Sequence, residues 1–324
     1  MKPNIYPVYQ DPGGRAALLP VIQQLQADAA VDVVSGGKVD FLLAGTSMDG
    51  YEKTEIDKYR GCVPTLSVLD FWSNYRVRFA DKLGNLAYLP DTIAVMDDLA
   101  VKEMVEEGFP PERLVVTGQP AFDCLGDKKR DFTYARERAT RLYYGCREGR
   151  KTIVFASQPH ARQPYTIGYT EHTVLRLLID ALPDNADLII RPHPRENIAD
   201  LMQYMEIPRI TVQRKEMVHE LLMSADLVVG MNTELLVEAC YLGCIVLSIQ
   251  PGLIGRDCLP TNRSGHSWAL YDHTRLAGTL TTLLEDKDAR RYMRQQANGL
   301  IAPEKAAPKV ARLIYERLGI VCPA

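Results

Sequence analysis

Short apolar runs alternate with longer stretches in which apolar positions recur every three or four residues, and the alternation repeats along the chain. Ile5–Tyr9, Val31–Val34, Phe41–Ala44, Thr65–Leu69, Thr92–Met96 and Leu114–Thr117 read as strands. They are apolar enough to be buried on both faces. Helical spacing follows at about 16–27 and 98–107. The stretch 127–151 breaks the rhythm. It is rich in Arg and Lys and weakly amphipathic, and it reads as a helix leading into a linker. A second strand series then begins at Thr152–Ala156 and continues at Asp187–Ile190, Ile210–Val212, Leu227–Val229 and Ile245–Ile249. Helices at about 275–284, 287–298 and 307–318 close the chain. Alternation of this kind predicts α/β architecture, with parallel sheets covered by helices. The length of 324 residues favours two such domains over one. We place them at 1–145 and 146–300, with 301–324 as a helix crossing back to the first.

Composition narrows the partners. A hydrophobic fraction of 46% and a charged fraction of 24% are ordinary for a globular protein. The net charge of -3 supplies no global basic field, so no nucleic-acid partner is expected and any anion must be held by a local cluster. The N-terminus turns polar too early for a signal peptide, and no apolar run approaches a membrane span. The seven cysteines are odd in number and form no C-x-x-C, which points to reduced thiols and a cytoplasmic protein. Cys240 and Cys244 could share a helix face, but no histidine accompanies them, so no metal is expected.

In open parallel sheets, ligands bind outside the carboxyl ends of the strands, so the loops there carry the candidate chemistry. The run Ser224–Pro251 contains a buried strand ending at Gly230 and a helix whose N-cap is Asn232 or Thr233. Backbone N–H groups at such a helix start suit a diphosphate. Glu238 follows five residues after Thr233, where it could accept from ribose hydroxyls or simply face solvent. Arg191-Pro192-His193-Pro194-Arg195 places two arginines around a histidine at a strand end. The prolines remove donors, so side chains must hold the ligand, and guanidinium groups suit phosphate. Ser157-Gln158-Pro159-His160 ends another strand and adds Ser157 and His160 as candidates.

In the first half, Asp11-Pro12-Gly13-Gly14-Arg15 is a Gly-rich turn at a helix start, but neither a dinucleotide fingerprint nor a Walker loop. Asp49 and Asp70 each follow a strand and could act as general base toward a hydroxyl, or merely form turns. Trp72, Tyr75 and Phe79 could stack on a sugar or belong to the core. The polar loop Thr261–His266 is a further candidate for lining the site.

The second half resembles the glycosyltransferase-B superfamily, particularly its bacterial surface-polysaccharide branches. Asn232-Thr233-Glu234-Leu235-Leu236-Val237-Glu238-Ala239 is similar to the donor-binding S/T-x-x-x-E-A pattern found there. Cys244 stands where that pattern has proline. Arg191-Pro192-His193-Pro194 resembles the His-Pro motif of bacterial sialyltransferases and CDP-glycerol glycerophosphotransferases, in which the histidine contacts nucleotide phosphate. The segments Leu89–Met96 and Val116–Pro120 are similar to the end of the first domain in such enzymes and in UDP-N-acetylglucosamine 2-epimerases. The epimerases carry a His-Gly-Asp element where this chain has Gly45-Thr46-Ser47-Met48-Asp49.

The resemblance implies two Rossmann-like domains facing across a cleft, the GT-B type. It implies transfer of a sugar or related group from a nucleotide donor to a surface-glycan acceptor. The donor, CMP/CDP- or UDP-linked, would be held by Arg191, His193, Arg195, Asn232, Thr233 and Glu238, with Ser157 and His160 beside them. Asp70 or Asp49 would deprotonate the acceptor, and Gly13, Gly14 and Arg15 would form an acceptor-side loop. The nucleotide-sugar is a substrate, with no separate cofactor and no metal. A lipid-linked acceptor would bring peripheral membrane contact. A 2-epimerase or hydrolase acting on the nucleotide-sugar itself, or a non-catalytic binding protein, are the alternatives.

Overall fold

The computed structural model describes residues 1–48, 50–162, 167–300 and 305–322. They form two compact units, Met1–Cys124 with Pro303–Ala324, and Leu125–Ala302.

The first unit is built on a parallel sheet of β1 (Asn4–Val8), β2 (Asp32–Val33), β3 (Phe41–Ala44), β4 (Thr65–Val68), β5 (Thr92–Val95) and β6 (Leu114–Val116), in the order β2-β1-β3-β4-β5-β6. Its helices are α1 (Pro12–Asp28), α2 (Tyr51–Tyr59), α3 (Tyr75–Phe79) and α4 (Asp98–Glu106). Every residue of β3, β4 and β5 is buried, with Thr65, Ser67 and Thr92 the hydroxyl-bearing residues among them. Ala17, Leu18, Val21 and Leu25 of α1 cover one face, against Ile5, Phe41, Leu66 and Val68. Each such leucine or valine contributes about 1.5–3 kcal/mol by leaving water. Helix α1 begins earlier than its apolar spacing indicated. Asp11 caps it by accepting from Gly14 N at 2.7 Å, and Pro12 supplies a preset φ at the first position. Gly13, Gly14 and Arg15 therefore lie in the first helical turn.

The second unit begins with α5 (Leu125–Asp131) and α6 (Tyr134–Tyr144), where a helix and a linker were expected. Both are ordered on this unit. Arg141 donates to Ser224 O at 2.7 Å, and the buried Tyr144 hydroxyl donates to Glu216 O. The division consequently falls at Cys124/Leu125 and not at 145/146. The sheet comprises β7 (Lys151–Ala156), β8 (Ala186–Arg191), β9 (Ile210–Val212), β10 (Leu227–Gly230), β11 (Val246–Ile249) and β12 (Trp268–Leu270). All pairings are parallel, in the order β12-β11-β10-β7-β8-β9. The helices are α7 (Glu171–Asp180), α8 (Val218–Ser224), α9 (Glu234–Tyr241), α10 (Pro260–Arg263), α11 (Leu276–Glu285) and α12 (Lys287–Gly299).

The last helix, α13 (Ala306–Leu318), belongs to the first unit. The Asp123 carboxylate accepts from Ala306 N at 2.6 Å and Ala307 N at 2.8 Å, capping it from a distant part of the chain. Val310, Ala311, Ile314 and Tyr315 then join the core beside α1. Among the described residues no helix is long and apolar enough to cross a membrane.

Candidate functional site

Strand order points to a candidate site in the second unit. From β7 the chain moves outward to β8 and β9, then returns to place β10 on the other side of β7. The loops after β7 and β10 lie at this switch point, the place where open parallel sheets bind ligands. His160 lies on the first loop, and Asn232 and Thr233 on the second.

His160 is 8% exposed. Its Nε2 lies 2.7 Å from Asn232 Oδ1, while Asn232 Nδ2 donates to Cys258 Sγ, which orients the amide. The ring proton therefore sits on Nε2, and the buried Nδ1 is a lone-pair acceptor without a partner among the described residues. Burial holds the His160 pKa below its ordinary value, against the opposing pull of Asn232 and Glu171, so the ring is neutral.

His193 has the opposite character. Its Nδ1 accepts from Arg195 N at 3.1 Å, so its proton also sits on Nε2, here a donor. Burial, helped by the charges of Arg195 and Arg214, pushes its pKa down to about 4. Glu196 fastens the two loops together. It is buried, accepts from Ser157 Oγ at 2.9 Å and from His193 N at 2.9 Å, and burial raises its pKa. Ser157 thus supports Glu196, and Asn232 orients His160.

Arg191, the last residue of β8, has a buried Nη1 with no hydrogen-bond partner among the described residues. Burial lowers its pKa; Arg214 adds to this and Tyr144 opposes it. Arg214 donates to His193 O at 2.7 Å and to Glu196 O. Arg195 is exposed. Three guanidinium groups and two neutral histidines so lie at or just past the ends of β7, β8 and β9. Beside them, α9 starts at Thr233, whose hydroxyl makes no capping bond. The first turn of such a helix favours an anion. Glu238, one turn along α9, is held by His219. Asn262 of the polar loop is committed to Asp257 at 2.7 Å and Ser248 at 3.0 Å.

The first unit has its own switch point, between β1 and β3. A Cβ on Gly45 would lie 3.3 Å from Gly14 Cα, so glycine here lets the two loops touch. Below them lie two buried carboxylates. Glu52, 2% exposed, accepts from Gln10 N at 3.1 Å and from Ser47 Oγ. Asp70 forms an ion pair with Arg78, and each is 6% exposed. Thr46 Oγ1 donates to Asp70 Oδ1 at 3.3 Å, and Gln119 Nε2 donates to Asp70 O at 2.7 Å. Burial raises the Asp70 pKa, with Arg78 opposing and Asp11 adding. A Cβ at Gly13 would meet Asp70 Oδ2 at 2.3 Å, so only glycine leaves room for that oxygen. Asp49 lies outside the described residues. Arg15 is exposed on α1. Trp72, Tyr75 and Phe79 are core residues. Trp72 donates to Asp97 at 2.8 Å, Tyr75 to Glu103 at 2.6 Å, and Phe79 meets Phe109 edge to face.

Sequence reasoning missed Glu52, Arg78, Glu196, Arg214 and His219. Arg214 and Glu196 lie on the loops that follow β9 and β8, so the strand-end rule reaches them. Glu52, Arg78 and His219 sit on helices whose polar residues look solvated.

No family model matches the sequence, and no curated protein matches it. Solved structures do match. The UDP-GlcNAc 2-epimerase from Neisseria meningitidis bound to UDP-GlcNAc has a TM-score of 0.69 at 14% identity, covering 97% of this chain and 99% of that one. HepE of Anabaena, in complex with UDP and glucose, has a TM-score of 0.65 at 14% identity, covering 98% and 100%. The wall teichoic acid polymerase TagF with CDPG has a TM-score of 0.62 at 10% identity, covering 98% and 89%. At such identities the likeness speaks of architecture: with its two six-stranded parallel sheets flanked by helices, the chain has the two-domain α/β fold of the GT-B type.

Proposed function

We propose that this chain is an enzyme acting on a nucleotide-linked sugar, and within that class a glycosyltransferase serving a glycan or lipid-linked acceptor. The observation that carries this reading is the pair of neutral histidines beside an unpaired, half-buried arginine and a helix start. The set offers one acceptor, one neutral donor and concentrated positive charge, which matches a nucleoside diphosphate and its neighbouring hydroxyls. Solved relatives of this fold that hold UDP, UDP-GlcNAc or CDPG support it.

In this reading Arg191, Arg195, Thr233 and the first turn of α9 hold the phosphates. His193 Nε2–H donates to a phosphate oxygen, His160 Nδ1 takes a hydroxyl or base N–H, and Glu238 takes the ribose. In the transition state, the arginines and the helix start stabilise charge developing on the departing diphosphate. In the first unit, Asp70 or Asp49 accepts the proton of the acceptor hydroxyl. For Asp70 that task falls to Oδ2, because Arg78 and Thr46 engage Oδ1.

Calorimetric titration with CMP, CDP, UDP and GDP, with and without chelator, tests the reading. One diphosphate should bind regardless of chelator, and His193→Ala should weaken it about tenfold, the worth of a hydrogen bond to a charged group. Failure of all four nucleotides to bind would overturn the proposal.

The role of His193 as a neutral donor makes a separate prediction. With its pKa at about 4, the ring carries no charge between pH 6 and 8. The ratio of wild-type to His193→Gln affinity should then stay constant across that range. An imidazolium contact would instead make the wild-type advantage grow as the pH falls.

A second reading, epimerisation of the donor itself, draws on the buried carboxylates Glu52 and Asp70 and on the epimerase of the same fold. Incubating UDP-GlcNAc alone separates the two. An epimerase inverts the sugar without an acceptor, whereas a transferase leaves it unchanged.

A further inference from the structure

We propose that His219, oriented by Lys128, is a positioning residue that sets the Glu238 carboxylate for a nucleotide ribose; this rests on the nucleotide-sugar reading above. Three helices supply the contacts: Lys128 from α5, His219 from α8 and Glu238 from α9. Lys128 Nζ lies 2.5 Å from His219 Nδ1. An ammonium group only donates, so Nδ1 accepts and the ring proton is placed on Nε2. That N–H donates to Glu238 Oε2. The lysine thereby selects the tautomer that can grip the carboxylate.

Glu238 uses only one oxygen in this contact, and Oε1 has no hydrogen-bond partner among the described residues. A glutamate on a helix face otherwise samples several rotamers, and a ligand must bear the entropy of ordering it. With Oε2 held, Oε1 is already oriented when a ligand arrives. The side chains of His219 and Glu238 are 14% and 19% exposed, so this bond is sheltered more than a surface ion pair.

The backbone supports the same assignment. Helix α8 is entered through Met217 at φ 62, ψ 46, a left-handed conformation unusual for a residue other than glycine or asparagine. Met217 as a whole residue is 45% exposed. Two residues later comes His219, aimed at α9. Strain held at one point to aim a side chain is a pattern of functional sites.

A plain structural pair would change stability. A positioning role changes how well the protein recognises ribose hydroxyls. The experiment therefore compares UDP with 2′,3′-dideoxy-UDP, and CDP with its dideoxy counterpart, on the full chain. Wild type should prefer the ribonucleotide about tenfold, and Glu238→Gln should lose most of that preference. His219→Ala should lose it too, while affinity for the dideoxy nucleotide stays within about twofold of wild type. His219→Gln, whose amide can still donate, should recover part of the preference and shows that the fold is intact. Lys128→Met should fall between wild type and His219→Ala. If wild type discriminates and His219→Ala discriminates as strongly, the positioning role is overturned while the ribose reading of Glu238 survives. If wild type makes no distinction, the ribose reading fails and the inference goes with it.

Discussion

Replacing Asp70 by alanine should destabilise the first unit by about 3–5 kcal/mol, because it strands the Arg78 guanidinium as an uncompensated buried charge. Both side chains are almost wholly buried, and Arg78 also reaches Thr46 O and Ser73 O, so it cannot swing into solvent without breaking those contacts. Arg78→Ala should be destabilising by a similar amount. The double variant Asp70→Leu with Arg78→Met should recover most of the loss, since apolar residues of like volume often replace a buried pair at little cost. Urea unfolding of the four proteins measures these differences. An Asp70→Ala protein within about 1 kcal/mol of wild type would show that the pair is not buried in solution.

This prediction bears directly on the role of Asp70. A carboxylate that anchors an arginine can also be a base, but lost turnover in Asp70→Ala would not by itself distinguish the two. Asp70→Asn with nucleotide affinity as control does so. A folded variant that binds nucleotide normally and turns over slowly assigns the proton transfer to Asp70; unimpaired turnover removes it.

Central strands such as β3 and β10 were legible because all their residues are buried and mostly apolar, whereas β12, with two of its three residues only partly buried, was not read as a strand. The loops worth reading followed from the strand-end rule, and His160, His193 and Thr233 all lie on them. Helices were less legible. Only Glu52 and Ile56 of α2 are buried, so no apolar stripe marks that segment. The basic stretch 127–151 looked like a linker because its ordering contacts are polar ones to distant backbone, such as Arg141 to Ser224 O. Within the site, the division of labour was not legible at all. Ser157 and Glu196 lie 39 residues apart, and His160 and Asn232 lie 72 apart. No local pattern tells that Ser157 and Asn232 hold their neighbours while His160 keeps a lone pair unused. Likewise Trp72, Tyr75 and Phe79 looked suited to a sugar but fill the core, since aromatic residues serve either purpose.

Arg191→Met should move stability and binding in opposite directions. Arg191 carries a buried nitrogen without a partner among the described residues, and Arg214 adds like charge. Leaving such a group unsatisfied costs on the order of 1 kcal/mol or more. Methionine keeps much of the aliphatic length without the charge, so the empty variant should unfold later than wild type, by about 1 kcal/mol. The same change should weaken nucleoside diphosphate binding about 100-fold, the worth of a forked guanidinium–phosphate contact. Denaturation and calorimetry on one protein preparation measure both. Conserved affinity with raised stability would make Arg191 a bystander and move the phosphate to Arg195 and the helix start. Lowered stability would mean that the guanidinium is satisfied in the empty protein, most simply by water. The expected combination is a residue that destabilises the empty fold because its partner is the ligand, a conflict between local rule and global structure of the kind that marks a binding site.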